Sequence, residues 1–458
     1  MRRNHSPYVT IFRKGHGLSL LISVTEQLRN GETLKRWMIA SKVCKLRIVA
    51  VVTTILILSC LGSLLGADPS VEVFSEEGAI TSVSGEYISL FPQLPFRWTL
   101  TTSGGYDDNP DTLPDGAGSM FTQANVTLSK ELRTARTQLG LVAGGGVIHY
   151  FDRMGGPPTD YTGSINLNLQ HQVSERLTLG ATVSAAYQAE PEFGTDLGPT
   201  RRSGNYFSMA DTFAARYMLS PRLSTYSSYQ LGLVKYEDDI TAMLGDRVDH
   251  TLGETLRYAW SPRTTLIGEY RYQVIDYDTA PRDSSTHFVL GGLEYGFSPR
   301  ATATLVGGAT FRMLKEGETD EMVHPNGSAS FNYQLSQFTT IRWNASYSVE
   351  EPNFTETLVQ TTLRFRTGLS ITYHPGKHLT GNLAMNYYHD DNTGVALDPA
   401  TPGVDEQNTT QSGLELSIGA KYAVTERMAL DLSFAHTEVD SIGGYSRNIY
   451  KAGLAFLF

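Results

Sequence analysis

From about residue 95 to the C-terminus, apolar and polar residues alternate in runs of roughly 10–15 residues. In one such run, Tyr270 and Val274 fall on one face, and Glu269 and Arg271 fall on the other. A period of two residues is typical of a β-strand, because successive side chains of a strand point to opposite faces of the sheet. The alternation therefore predicts an all-β segment whose strands each have one apolar and one polar face.

Short and long connections alternate between these runs. Several short connections contain Ser-Pro-Arg, at 220–222, 261–263 and 298–300, whereas the long connections are acidic or rich in Gly and Pro. A β-propeller is an alternative for such a repeat, but its strands have only about five residues. Runs this long match strands that cross a bilayer at a tilt of about 45°. We count about 18 strands (16–18), and this even number places both ends of the segment on the short-turn side.

The last run of the chain is apolar on one face up to its final residue. Tyr450, Leu454, Phe456 and Phe458 share that face. A soluble β-sandwich with a buried last strand is one explanation, and a lipid-facing strand that pairs with the first strand is the other. The regular alternation of long loops and short turns favours the second. A terminal Phe on such a strand also resembles the signal read by the outer-membrane barrel assembly machinery, so we predict these four residues as the assembly signal.

These observations predict a transmembrane antiparallel up-and-down β-barrel over residues 95–458, located in the outer membrane of a Gram-negative-type bacterium and surrounded by its lipid. A mean hydropathy of −0.22 does not contradict this, because a barrel averages lipid-facing and lumen-facing residues. The net charge of −10 disfavours a nucleic-acid partner. Self-association into a homo-oligomer is compatible with such a barrel.

The N-terminal region is predicted to be a targeting segment. Residues 38–67 combine a basic start, an apolar run and a small residue, Ala67, at which a signal peptide could be cleaved. An uncleaved membrane anchor and a lipoprotein with Cys60 as the lipidated residue are the alternatives. Residues 1–37 have no pattern and are interpreted as a mis-called extension upstream of Met38.

Residues 68–94 form a mildly strand-like segment that we predict to lie in the periplasm. It could serve as a tether, a short plug or a partner-binding segment. The only two cysteines, Cys44 and Cys60, precede it within the predicted signal peptide. A processed chain would therefore contain neither a disulfide nor a cysteine metal site.

Residues 95–458 resemble the β-barrel porin 2 family, whose members are outer-membrane barrels often encoded near exopolysaccharide genes. The resemblance rests on Gly-Tyr-Asp-Asp-Asn-Pro at 105–110, on the first short turn within 127–141, on the motif at 189–207 and on the repeated Ser-Pro-Arg turns. It implies a membrane barrel. It supplies neither an agreed substrate nor catalytic residues.

Parity predicts which charged residues face the barrel lumen near mid-height. These are Arg271, Arg342, Arg364, Arg366, Glu269, Glu415 and Asp431. Lumenal charges of both signs are how a pore selects ions, which predicts a porin-like channel for passive diffusion or export of hydrophilic solutes, polysaccharide included. The excess of arginine indicates anionic solutes. The alternative is a filled structural or adhesive barrel in which these charges pair across strands and the loops bind partners.

Catalytic and cofactor sites are not predicted. An outer-membrane lipid enzyme would need a His and a Ser together on the outer face, and His149, His287 and His436 lack such a context. Asp390 belongs to Tyr-His-Asp-Asp-Asn-Thr-Gly at 388–394, a fragment of a calcium-binding loop without its distal Glu. We interpret that stretch as an acidic, solvated loop, and we predict no metal and no cofactor.

Overall fold

The computed structural model describes residues 96–189, 205–280, 282–315, 322–351, 358–395, 409–441 and 444–458. The predicted extension, signal peptide and periplasmic segment (1–37, 38–67 and 68–94) lie outside the described residues, and most of the 189–207 motif does too. Those interpretations therefore remain predictions.

The described residues form 18 β-strands and one short helix. The strands are β1 Arg97–Asp107, β2 Ser119–Arg133, β3 Thr137–Tyr150, β4 Thr159–Gln172, β5 Leu177–Gln188, β6 Tyr206–Ser220, β7 Leu223–Tyr236, β8 Arg247–Ser261, β9 Thr264–Tyr277, β10 Ser284–Ser298, β11 Ala301–Leu314, β12 Met322–Ser336, β13 Thr339–Glu350, β14 Leu358–Tyr373, β15 Leu379–Val395, β16 Thr409–Thr425, β17 Met428–Asp440 and β18 Tyr445–Leu457, and the helix α1 spans Asp239–Gly245 in the β7–β8 loop. In the described part of the chain, no helix is long and apolar enough to cross a membrane.

The strands form one closed antiparallel sheet. Each strand pairs with its neighbours in sequence, and β1 also pairs with β18, which leaves no free edge. The predicted barrel of about 18 strands is confirmed, and the propeller and the soluble sandwich are excluded. The strands have 11 to 17 residues, long enough to cross a bilayer when tilted.

The two faces of each strand differ as the alternation predicts. In β9, Leu266 and Tyr270 are exposed (41% and 46%), whereas Ile267 and Ile275 on the opposite face are buried. The exposed apolar side chains define an outer face for lipid, and the opposite parity defines the inner face of the barrel.

A serine starts many of the short turns and explains their recurring sequence. The Ser220 hydroxyl accepts hydrogen bonds from the backbone N–H groups of Arg222 (3.3 Å) and Leu223 (3.1 Å). The same contact to the second residue after the serine recurs at Ser174, Ser261, Ser298 and Ser336. This local hydrogen bond satisfies backbone donors that the turn leaves outside the strand ladder.

The C-terminal residue is held by the first strand. The Phe458 N–H donates to the Trp98 carbonyl (2.9 Å), and the Trp98 N–H donates to the Phe458 carbonyl (3.3 Å). The apolar tail therefore pairs to its end rather than fraying. Its Tyr450 and Phe458 rings are about half exposed (52% and 55%) on the lipid side.

The motif at 105–110 stabilises the long-loop end of the β1–β18 pair, the seam at which the barrel closes. The Arg447 guanidinium of β18 donates to both carboxylate oxygens of Asp107 in β1, with Nε–Oδ1 at 3.0 Å and Nη2–Oδ2 at 2.6 Å. Asp107 is fully buried. The next residue, Asp108, accepts from the Asn448 N–H (2.6 Å) and side-chain amide (2.7 Å). Two adjacent carboxylates thus join the first strand to the last.

Glu254 interrupts the apolar outer face. It shares the parity of the exposed Leu252 and Leu256 and lies seven residues from each end of β8. Its carboxylate accepts hydrogen bonds from the hydroxyls of Thr225 and Ser227 on β7. A carboxylate at mid-strand thus faces the lipid, where lipid chains offer no hydrogen bonds.

Candidate functional site

Charged side chains concentrate on the inner face of one half of the barrel. There the inner faces of β7–β13 surround a cavity of about 340 Å³. Its charged lining consists of Arg247, Asp249, Glu269, Arg271, Arg312, Glu350 and Glu351. Four carboxylates and three guanidinium groups therefore share one wall. We call this inner face, together with its continuation on β14 and β15, the charged wall.

The opposite half of the barrel has a different inner face. On β2, β4 and β5 the inner positions near mid-strand carry neutral amides and hydroxyls, including Gln123, Asn125, Asn166, Asn168, Thr182 and Ser184. We call this surface the amide wall. The lumen is thus lined by hydrogen-bonding groups on one side and by charges on the other.

Arg364 is the centre of a group of ion pairs on the charged wall. Its side chain is completely buried and donates to both carboxylate oxygens of Asp390 on β15, and its Nη1 donates to Glu350 (3.1 Å). Arg366 donates to the same Glu350 through Nη2 (2.6 Å). The alignment Arg364↔Asp390 in the β14–β15 register places the two ends of the ion pair directly opposite each other. A bidentate guanidinium–carboxylate pair of this kind is strong and has a fixed geometry.

A second group, the arginine cluster, lies at the long-loop end of the charged wall. We define it as Arg247, Arg282 and Arg312 together with Glu351 and Tyr277. Arg312 forms an ion pair with Glu351 (Nη2–Oε1, 2.8 Å), and the Tyr277 hydroxyl donates to the same carboxylate. The Arg282 guanidinium lies over the Tyr277 ring, 4.8 Å from its centre. All five side chains are buried.

The arginine cluster shifts the pKa of its loop residues. Burial raises the pKa of Glu351, but attraction to Arg312, Arg247 and Arg282 outweighs burial, and the net pKa is lowered. Burial lowers the pKa of Arg282, and repulsion from Arg247 and Arg312 lowers it further, although Tyr277 and Glu351 oppose this. The lowered pKa of Glu351 and the lowered pKa of Arg282 both reflect the three guanidinium groups that lie close together here.

The sequence-predicted site residues fall into two sets. Glu269 and Arg271 form an ion pair (2.6 Å) and line the cavity, where Arg271 also lies over the Phe288 ring at 4.7 Å. Arg364 and Arg366 meet through Glu350, as described above. These two and the remaining three lie on the inner face outside the cavity lining. Of the remaining three, Arg342 is exposed, Glu415 accepts from the Asn386 side-chain amide (3.1 Å), and Asp431 lies opposite Lys421.

Sequence reasoning missed several charged residues of this wall. Arg247, Arg312, Glu350 and Glu351 were not predicted, although the inner parity of Arg247 and Arg312 is visible in the sequence. The interpretation of 388–394 as a solvated loop was wrong. These residues belong to β15, and Asp390 is buried against Arg364 because the strand continues beyond the apolar belt with its inner face still paired.

The three histidines considered for a lipid enzyme each contact one polar side chain of a neighbouring strand. His149 contacts the Thr159 hydroxyl (2.8 Å), His287 the Tyr270 hydroxyl (2.9 Å) and His436 the Asn448 side chain (2.9 Å). None of these contacts has the arrangement of a serine nucleophile and its base. Among the described residues, no group of three or more His, Cys, Asp or Glu side chains could hold a metal ion.

Comparisons with known proteins give one family and several distant structures. Among solved structures, OccAB4 of Acinetobacter baumannii is similar at 13% identity with a TM-score of 0.41, covering 81% of this chain and 100% of that one. OccK1 (OpdK) of Pseudomonas aeruginosa is similar at 11% identity and a TM-score of 0.42, covering 79% and 99%. The siderophore receptor PirA of the same organism follows at 11% identity and a TM-score of 0.36, covering 79% and 80%. Nothing about the function of this chain follows from likenesses at these scores.

A comparison with curated proteins found no match. The model of the family described as "Putative beta-barrel porin 2" matches residues 96–457, which span β1 to β18. This chain therefore belongs to the β-barrel porin 2 family and is an 18-stranded barrel of the outer membrane.

Proposed function

We propose that the barrel is a passive, porin-like channel for hydrophilic solutes. The observation that carries the proposal is the contrast between the apolar outer face and an inner face lined by charges on one side and amides on the other. A barrel of this strand number is wide enough to enclose an aqueous channel. Neither lining is needed by a barrel whose interior never meets water.

We propose that the seven sequence-predicted charges line this channel together with Glu350; Arg364 among them is fully buried against Asp390 and contributes by holding Glu350 in place. Carboxylates and guanidinium groups at similar heights create a field across the lumen that favours polar, oriented solutes. The amide wall supplies donors and acceptors for hydroxyl groups. Sugars suit such a lumen, and we include export or diffusion of polysaccharide in the proposal.

Planar bilayer recording tests the channel directly. Reconstituted protein should give discrete conductance steps, and liposomes that contain it should swell in solutions of neutral sugars. Variants that enlarge the lumen at the Arg271–Glu269 pair, such as Arg271→Ala with Glu269→Ala, should raise the conductance. The matched control is Arg257→Ala with Glu294→Ala, an inner-face ion pair (2.7 Å) towards the short turns. A folded barrel that stays electrically silent in both forms would overturn the channel proposal.

One observation favours the alternative, a filled barrel that acts as a structural or adhesive platform. Arg364, Arg247 and Arg312 are almost completely buried, so the long-loop half of the charged wall is tightly packed. A platform would bind partners through its loops and would not conduct. Deletion of the α1 loop, residues 239–245, should then abolish surface binding and leave solute uptake unchanged.

We also propose that Tyr450, Leu454, Phe456 and Phe458 are read by the barrel assembly machinery. Support comes from their shared face on β18 and from the pairing of Phe458 with β1. Deletion of Phe458 should lower the amount of assembled barrel in the outer membrane, whereas Ala452→Gly on the same face should not. Equal assembly of the deletion and the parent would contradict this role.

A further inference from the structure

We propose that the arginine cluster is a binding site for an oxyanion carried by the solute, such as the carboxylate of a sugar acid. The site opens on the 340 Å³ cavity, which is lined by Arg247, Arg312 and Glu351 and has room for a single sugar unit. The identity of the solute rests on the proposed channel function. The site itself rests on the geometry of the cluster.

The first argument is charge. Within the described part of the chain, Arg247, Arg282 and Arg312 are each at least nine-tenths buried, and Arg312 forms an ion pair with Glu351. Burial and repulsion from Arg247 and Arg312 lower the pKa of Arg282. An incoming anion would offset this repulsion between buried guanidinium groups.

The second argument is unsatisfied donors. The Nη1 of Arg247 and the Nε of Arg312 are buried and have no hydrogen-bond partner among the described residues. The two arginines are each 2% exposed and both line the cavity. Guanidinium groups present fixed pairs of N–H donors that match the oxygens of carboxylate, phosphate or sulfate.

The third argument is the contrast with the neighbouring Arg364. That residue is equally buried, but Asp390 and Glu350 accept from Nε and both terminal nitrogens. The same wall therefore pairs one buried arginine completely and leaves donors of two others unused. The unused donors point to a function beyond structural pairing.

Glu351 would compete with the anion for these donors. Its carboxylate is held by Arg312 and by the Tyr277 hydroxyl, so neutralising it frees positive charge for a ligand. The lowered pKa of Glu351 reports the same attraction. By linkage, protonation of Glu351 and binding of an anion favour each other. Anion affinity should therefore rise as the pH falls.

Isothermal titration calorimetry of the detergent-solubilised barrel tests the site without requiring conduction. The probes are D-glucuronate, inorganic phosphate and, as a neutral control, D-glucose. We expect glucuronate to bind and glucose not to bind. Arg312→Gln and Arg247→Gln should each weaken binding at least tenfold, and Glu351→Gln should strengthen it several-fold and remove its pH dependence.

Matched controls keep the test specific. Arg257→Gln and Glu294→Gln make the same substitutions in an inner-face ion pair away from the cluster and should leave the affinity unchanged. Arg312→Lys keeps the charge and loses the paired N–H geometry, so it should bind more weakly than the parent even if Arg312→Gln does not fold. Heat-modifiable migration on gels verifies that each variant forms a barrel.

The outcomes separate the site from the channel. Absence of oxyanion binding, or equal losses in Arg257→Gln and Arg312→Gln, would overturn the site even if the barrel conducts. Binding of phosphate without glucuronate would overturn the assignment to a sugar acid. Glucuronate binding that follows the cluster variants would support the site even if bilayer recordings were silent and the channel proposal failed.

Discussion

Replacing Asp107 by Asn should loosen the seam at which the barrel closes. Asp107 is fully buried, and both its oxygens accept from Arg447 across the β1–β18 pair. Removing one partner of a buried ion pair leaves the other charge uncompensated and costs about 3–5 kcal/mol. Asn keeps one oxygen acceptor, so we expect a loss near the lower end, about 3 kcal/mol, or roughly a hundredfold in the folding equilibrium.

Urea unfolding of the barrel in detergent or lipid measures this loss, and hydrogen exchange locates it. We expect faster exchange at the long-loop ends of β1 and β18 and little change in β9 or β10. Asp108→Asn is the matched control, because Asp108 is only half-buried, faces an amide and keeps an acceptor for Asn448, so it should cost about 1 kcal/mol. Equal losses in the two variants, or none in Asp107→Asn, would refute the reasoning.

Three other perturbations have defined outcomes. Arg364→Ala should destabilise the barrel by about 3–5 kcal/mol in urea unfolding, whereas Arg364→Met combined with Asp390→Leu should recover most of the loss, because the double change leaves fewer buried charges unpaired. The pKa of Glu351 is lowered in the folded barrel, so its ion pairs stabilise the fold above the ordinary value of 4.5, and that stability is lost as the pH falls through the lowered folded pKa. Glu351→Gln should reduce this loss of stability at acidic pH. An unchanged loss would show that other carboxylates cause it. Glu254→Leu should raise the unfolding free energy by about 1–2 kcal/mol, because it removes a carboxylate from the lipid-facing belt, and a decrease would show that the hydrogen bonds from Thr225 and Ser227 outweigh the cost of that carboxylate.

The fold was predictable because its main signals are local. The face on which a strand residue lies can be read from the sequence, because successive residues face opposite sides of the sheet. The closing strand is recognisable by the apolar face that ends at Phe458. The turns are local too, since the serine hydroxyl bonds to N–H groups within three residues. Closure then follows from the membrane, because an open edge in lipid would leave backbone groups without hydrogen bonds.

The arginine cluster was not predictable in the same way. Arg312 on β11 meets Glu351 just after β13, and two intervening connections separate them in sequence. Parity tells which face each side chain occupies, but the relative heights of residues two strands apart depend on where each strand ends. Those ends lie beyond the apolar belt, where the outer face no longer marks the strand by hydrophobic residues.

Asp390 shows why composition did not predict that residues 388–394 belong to a strand. Asp, Asn and Gly usually indicate a loop, because they favour turn conformations and have low strand propensity. In this barrel, however, residues 388–394 continue β15. The ion pair between Asp390 and Arg364 stabilises this part of the strand, although its residues have low strand propensity. A strand above the membrane can thus be stabilised by inner-face ion pairs instead of apolar burial. These ion pairs also concentrate charge at the long-loop end of the barrel, where sequence composition alone predicts a loop.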